Sequence, residues 1–313
     1  MKKLKVGLIG CGFWGKNHAR VYSELEAAEL VAVCDIVEEN AKNIAKRYGC
    51  DWYKDVDEFL RRDDIEATSI CTPTTTHFQL TSKCIKAGKH VLVEKPMSSN
   101  SLEAKSLVEL ARKFKVRIMP GHIERFNPAV RKLKELIEGE KLGKIILMLA
   151  RRVTRWPERI GDIGIVKDSA IHDVDVMKYL INDEVKEVYA ITGSLRHRLE
   201  DYAEILLRFK SGITGFIDAN WLTPRKTRTL IAIGSEATVT LDYLTQEIVI
   251  ENSEKTIKPR IKWEEPLYNE LKHFVDRMMS NERFLVTEDD GLKSLEICDS
   301  IILSGRERKV VYL

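Results

Sequence analysis

Up to about residue 120 the chain alternates short β-branched runs with stretches whose apolar residues recur at helical spacing. Strands are predicted over Lys5–Ile9, Leu30–Asp35, Ala67–Cys71, His90–Val93 and Val116–Met119, and helices over Phe13–Leu25, Val37–Tyr48, Thr76–Ala87 and Ser101–Phe114. In the last of these, Leu102, Leu107, Leu110, Ala111 and Phe114 mark one face. Strands alternating with helices imply crossover connections, hence a parallel sheet covered on both faces.

The rhythm changes after Gly121. Pro128 opens a helix to about Glu138, Lys144–Arg151 reads as a strand, and Asp168–Ile181 as a helix. Strand-like runs then crowd together: Val185–Thr192, Ala203–Lys210, Ile213–Asn220, Thr229–Gly234, Thr238–Asp242 and Glu247–Glu251. Two of them flank Lys210-Ser211-Gly212, a tight-turn signature that predicts a hairpin. Helical patterns return over Leu267–Met279 and Asp289–Ser304. The expected fold is α/β: a doubly wound parallel sheet over residues 1–122, then an α+β domain over 123–313 with a large, mainly antiparallel open sheet.

At 313 residues the chain exceeds what one hydrophobic core organises, which agrees with two domains. A net charge of +3 among 51 basic and 48 acidic residues points away from nucleic-acid and membrane partners. No apolar run approaches the roughly 18 residues that span a bilayer. The basic Met1-Lys2-Lys3-Leu4-Lys5 leads into an apolar run too short for a signal peptide and reads as the edge of the first strand. Cys11, Cys34, Cys50, Cys71, Cys84 and Cys298 are scattered without a C-x-x-C pair, as expected of buried thiols in a cytoplasmic protein. No metal site is expected.

The first strand runs into Gly10-Cys11-Gly12-Phe13-Trp14-Gly15, which opens a helix. Gly10 permits a tight turn, Gly12 lets backbone N–H groups approach a pyrophosphate, and Gly15 lets the helix lie close to the strand. Asp35 ends the second strand, where a carboxylate accepts hydrogen bonds from an adenosine ribose and repels a 2′-phosphate. The cofactor expected is therefore NAD rather than NADP, held in a Rossmann domain. The alternative is a glycine turn that binds no dinucleotide.

Two segments end parallel strands where an active site is expected: Cys71-Thr72-Pro73, with His77 one helical turn on, and Glu94-Lys95-Pro96. The Lys95 ammonium can donate a hydrogen bond to a reacting hydroxyl oxygen, although a lone lysine is more often a surface residue. Farther on, Asp168, His172 and Asp175 fall at i, i+4 and i+7, beside an apolar stripe of Ala170, Ile171, Val174, Met177 and Ile181. A carboxylate one turn from an imidazole can polarise it as a general base. The plain alternative makes Asp168 a helix cap and His172 a core histidine.

Together, in this order, these segments resemble the glucose–fructose oxidoreductase / inositol dehydrogenase / rhizopine catabolism (Gfo/Idh/MocA) family, over essentially the whole chain. The resemblance implies oxidation of a ring secondary alcohol, with Lys95, Asp168 and His172 as the catalytic set. It places Gly10, Gly12, Phe13, Trp14, Gly15, Asp35, Thr72, Pro73, His77, Glu94 and Lys95 around the cofactor. One departure is Ala170, where relatives often carry glycine.

The segment Gly121-His122-Ile123-Glu124-Arg125-Phe126-Asn127-Pro128, with Gly161-Asp162-Ile163-Gly164, resembles the UDP-N-acetylglucosamine 3-dehydrogenase branch of that family. The same region gathers Arg125, Arg151, Arg152, Arg155 and Arg159, whose planar forks suit a diphosphate, although a solvated basic strand edge would read the same. The substrate contacts expected are Arg125, Asn127, Arg152, Arg155, Asp168 and His172. Two alternatives stand beside this one: a free sugar or inositol dehydrogenase, and a non-catalytic NAD-dependent sensor on the same fold. The second domain's sheet is expected to pair subunits in a homo-oligomer, a dimer or tetramer.

Overall fold

The computed structural model describes residues 3–157 and 162–313. Arg159 and Gly161, which the sequence brings into the substrate reading, lie outside the described residues.

Six strands form the first sheet: β1 (Leu4–Ile9), β2 (Ala28–Cys34), β3 (Asp51–Tyr53), β4 (Ala67–Ile70), β5 (His90–Glu94) and β6 (Ile118–Gly121). All pair in parallel in the order β3-β2-β1-β4-β5-β6, so the winding reverses between β1 and β4. In an open sheet of this kind, ligands bind beyond the strand ends at such a reversal. The crossover helices are α1 (Phe13–Glu24), α2 (Glu38–Tyr48), α3 (Val56–Leu60), α4 (His77–Lys86) and α5 (Ser101–Phe114). Because helices cover both faces, the central strands are buried; every residue of β4 is buried, the hydroxyl-bearing Thr68 and Ser69 included. The short edge strand β3 and the single-turn helix α3 carry too little periodicity to be seen in sequence.

The second sheet has nine strands in the order β14-β13-β12-β11-β7-β10-β9-β8-β15. They are β7 (Ile145–Arg155), β8 (Val185–Gly193), β9 (Tyr202–Phe209), β10 (Thr214–Asn220), β11 (Leu222–Gly234), β12 (Thr238–Asp242), β13 (Glu247–Glu251), β14 (Thr256–Ile257) and β15 (Val311–Tyr312). All neighbours run antiparallel except β7 and β10. The expected hairpin joins β9 to β10: Gly212 sits at φ +90°, and Phe209 N–H donates to the Ile213 carbonyl at 2.9 Å. Helices α6 (Pro128–Glu138), α7 (Ile171–Ile181), α8 (Pro266–Ser280) and α9 (Glu288–Glu307) complete the described chain.

The chain divides into two compact units, 1–122 with 267–292, and 123–266 with 293–313. The segment 267–292 thus groups with the first unit, whereas the sequence rhythm assigns it to 123–313. Arg117 explains part of this: it donates to the Arg277 carbonyl at 2.8 Å and lies 3.9 Å over the Phe284 ring. Phe284 also stacks on Phe274, whose helix α8 buries Leu271, Phe274 and Val275.

Candidate functional site

The loop after β1 is shaped by close backbone contacts. Gly10 takes φ +92°, and a Cβ there would stand 2.8 Å from the Cys71 carbonyl group. Gly15 packs directly on the Gly10 carbonyl, leaving no room for a side chain. Gly12 is the opposite: nothing lies within 4 Å of where its Cβ would be. It serves as the N-cap of α1 without a side-chain cap, and the first turn holds no acidic residue. Unclaimed helical N–H groups beside open space fit a pyrophosphate. Asp35 follows β2 and accepts from Cys11 N–H at 2.6 Å and Val37 N–H at 2.8 Å, so it braces the glycine loop. Phe13 is 66% exposed, whereas the next two residues are more covered. These residues fit a dinucleotide: backbone donors for phosphates, a carboxylate for a ribose, and space at Gly12.

Beyond β4 and β5 stand the other two expected segments. His77, buried at the start of α4, has Nδ1 2.7 Å from the Pro96 carbonyl and Nε2 2.8 Å from the Thr72 carbonyl. It therefore touches backbone carbonyl groups on both sides. Glu94 is buried, and its Oε1 lies 3.0 Å from Nε2 of His18. His18 Nδ1 in turn faces Ser69 Oγ at 2.9 Å, to which the Tyr22 hydroxyl donates at 3.3 Å. Burial alone would push the Glu94 carboxyl up, but the hydrogen bond and charge of His18, then Lys95 and His77, hold it below its ordinary value. Lys95 is half-buried, and the Lys95-Pro96 peptide is cis. Sequence reasoning missed His18; its signal is its place three residues past Gly15 on the buried face of α1.

Five cysteine thiols gain raised pKa values by burial, Cys34 and Cys84 up to about 12, so these remain thiols at neutral pH.

In the second unit, Val166–Ala170 forms a π-helical turn that runs into α7, where the periodicity predicts a plain helix from Asp168. Single π turns inside helices recur at functional sites. Asp168 and His172 are half-exposed, and Ser169 Oγ donates to Asp168 Oδ2 at 3.0 Å. Asp173 and Asp175, one face around, are buried.

Those two aspartates change the meaning of the arginines. Arg125 grips Asp175 with a two-pronged contact at 2.8 and 2.7 Å, both groups buried. Arg152 does the same to Asp173 at 2.6 and 3.2 Å and reaches Glu124 at 3.0 Å. Asn127 Nδ2 donates to the Tyr243 carbonyl at 3.0 Å, and its Oδ1 caps α6. The expected substrate contacts Arg125, Arg152 and Asn127 thus serve interior partners, because an unpaired charge in this interior would cost several kcal/mol. Arg151 points to the other face of the sheet and pairs with Asp218 at 2.9 Å. Arg155 stands exposed at the end of β7. Arg228, paired in register with Arg152, was missed because Pro224–Arg228 reads as loop. It has one 3.7 Å contact with Glu124; burial, then the charge of Arg152, lowers its pKa.

A sheet reversal, a helix start without a side-chain cap and a carboxylate just past the neighbouring strand fit the dinucleotide-binding domain of an oxidoreductase, and an α+β unit follows it in the chain. The chain belongs to the Gfo/Idh/MocA oxidoreductase family: residues 4–122 match its NAD-binding Rossmann domain and residues 130–240 its C-terminal domain. It is an NAD-binding oxidoreductase of the sugar- and polyol-dehydrogenase kind. Myo-inositol 2-dehydrogenase of Thermotoga maritima is 29% identical, covering 99% of this chain and 98% of that protein. UDP-N-acetylglucosamine 3-dehydrogenase of Acidithiobacillus ferrooxidans is 28% identical over 80% of this chain and 77% of its own length. A crystal structure of that enzyme superposes with a TM-score of 0.89 over 97% of this chain and 98% of the other, at 24% identity, which speaks for the fold.

Proposed function

We propose that this enzyme oxidises a ring secondary alcohol of a sugar or polyol, with Lys95, Asp168 and His172 acting on the hydroxyl. The carrying observation is a contrast within one helix. Asp173 and Asp175 are buried on arginines, while Asp168 and His172, on the π turn and the first turn of α7, keep half-exposed side chains. Bound NAD supplies the oxidising equivalent. His172, oriented by Asp168, takes the hydroxyl proton; Lys95 donates a hydrogen bond to the oxygen as its bond to carbon shortens. Glycine-loop N–H groups would hold the pyrophosphate of NAD, and Asp35 its adenosine ribose.

Two substrate readings each have an observation behind them. A UDP-linked N-acetylhexosamine oxidised at C3 is supported by the Acidithiobacillus relative and by exposed Arg155. A free polyol such as inositol is supported by the Thermotoga relative and by the internal pairing of Arg125 and Arg152. NADH formation with UDP-sugars, free sugars and inositols decides between them. Turnover confined to free polyols removes the nucleotide-sugar reading and leaves the dehydrogenase intact.

We also infer a cytoplasmic homo-oligomer formed through the second sheet. Ile231, Leu149, Phe216, Leu206 and Tyr189 pair across five adjacent strands into one apolar row; Leu206 is 44% exposed. Flanking Arg151–Asp218 and Arg208–Glu187 pairs present both signs of charge, which suits a second copy related by a two-fold axis. Light scattering of the intact protein tests this: a monomer at micromolar concentration would refute it. Among the described residues no helix is long and apolar enough to cross a membrane.

A further inference from the structure

We propose that His77 is the positioning residue for Lys95: a buried imidazolium whose two N–H groups tie the loop after β4 to the turn after β5. The inference rests on the role given to Lys95 above. Its geometry is one-sided. His77 is 1% exposed, its Nδ1 lies 2.7 Å from the Pro96 carbonyl oxygen, and its Nε2 lies 2.8 Å from that of Thr72. A carbonyl oxygen only accepts, and a neutral imidazole carries one N–H and one lone pair. A neutral ring would set a nitrogen lone pair against an oxygen lone pair at hydrogen-bond distance, with the ring itself buried. That leaves one buried acceptor facing another, a cost comparable to a lost hydrogen bond. The doubly protonated ring satisfies both carbonyls at once.

The positive charge has a counter-ion close by. Glu94, the residue before Lys95, is buried, and the field of His77 is among those that keep its carboxyl ionised. Lys95 adds a second cation beside the same carboxylate. Glu94 is itself held from the far side by His18 of α1. The residues before and after Lys95 are therefore fixed by separate buried rings, one from α1 and one from α4. With its backbone anchored on both flanks, Lys95 can place its ammonium only through its own side-chain torsions. A displacement near 1 Å at such a group costs about 10²-fold in rate.

The test begins with the wild-type protein, which needs no variant to fold. Nitrogen-15 NMR of the histidine rings, assigned through bonds from the backbone, should show two protonated nitrogens for His77 at neutral pH. One bare nitrogen would overturn the imidazolium. Kinetics then use a ring alcohol that the substrate panel shows to be oxidised. His77→Asn, whose amide reaches one carbonyl only, should lower kcat about 10²-fold, with KM and the NAD dissociation constant changing little. Added imidazole should restore turnover to His77→Gly. An unchanged kcat in His77→Asn would overturn the positioning role. Two protonated nitrogens with no oxidation of any alcohol would sink the dehydrogenase reading while the tie between the loops stood.

Discussion

The two units build their sites from different materials. At the ends of β1, β4 and β5 the shape comes from backbone: Gly15 lies on the Gly10 carbonyl, Gly10 on Cys71, and His77 holds two carbonyl groups. In the second unit it comes from charge, with Arg125 on Asp175 and Arg152 shared between Asp173 and Glu124. A backbone-built site is intolerant of volume. A charge-built one is intolerant of imbalance, and loses little when both partners are replaced together.

This contrast can be broken in several ways. The largest effect is expected for Lys95→Ala. Turnover should fall by about 10²- to 10⁴-fold, while calorimetry finds NAD affinity nearly unchanged, because the glycine loop is untouched. Next comes Arg125→Met, which takes the two-pronged guanidinium away from the buried Asp175 carboxylate and should cost about 3–5 kcal/mol in urea unfolding. Arg125→Met with Asp175→Leu should recover most of that. If Arg125 served substrate instead, the single variant would keep its stability and raise KM.

Gly15→Ala should cost about 1–3 kcal/mol through overpacking and weaken NAD binding, since the new Cβ forces the loop away from α1. Full NAD affinity in that variant would contradict the tight packing. The smallest effect concerns acid. Glu94 titrates below its ordinary 4.5 in the folded protein. Its contribution is therefore complete above that value and lost as pH falls through the depressed one. Glu94→Gln should flatten the acid limb of a plot of Tm against pH; an unaltered limb would contradict the His18–Glu94 pairing.

What could be read in the sequence follows the same division. Glycine spacing reports backbone constraints that are local, so Gly10 makes the expected turn and Gly15 the expected close packing, and alternating patterns gave the crossovers and the Gly212 hairpin. An arginine's meaning depends on a distant partner. Nothing near Arg125 announces Asp175, fifty positions away, and nothing in Pro224–Arg228 announces the register that sets Arg228 beside Arg152. The π turn at Val166–Ala170 is invisible to periodicity because a single wide turn is too short to leave a repeat in the sequence. The grouping of 267–292 with the first unit depends on Arg117 and Phe284, a contact between segments far apart in sequence.

The central claim is that the ammonium of Lys95 and the imidazole of His172 act on one carbinol as a unit. A double-mutant cycle on kcat with Lys95→Ala, His172→Ala and the pair tests it directly. Groups acting together are strongly non-additive, so the double variant should turn over about as slowly as the worse single one. Losses that simply multiply, or a single variant with wild-type turnover, would contradict it.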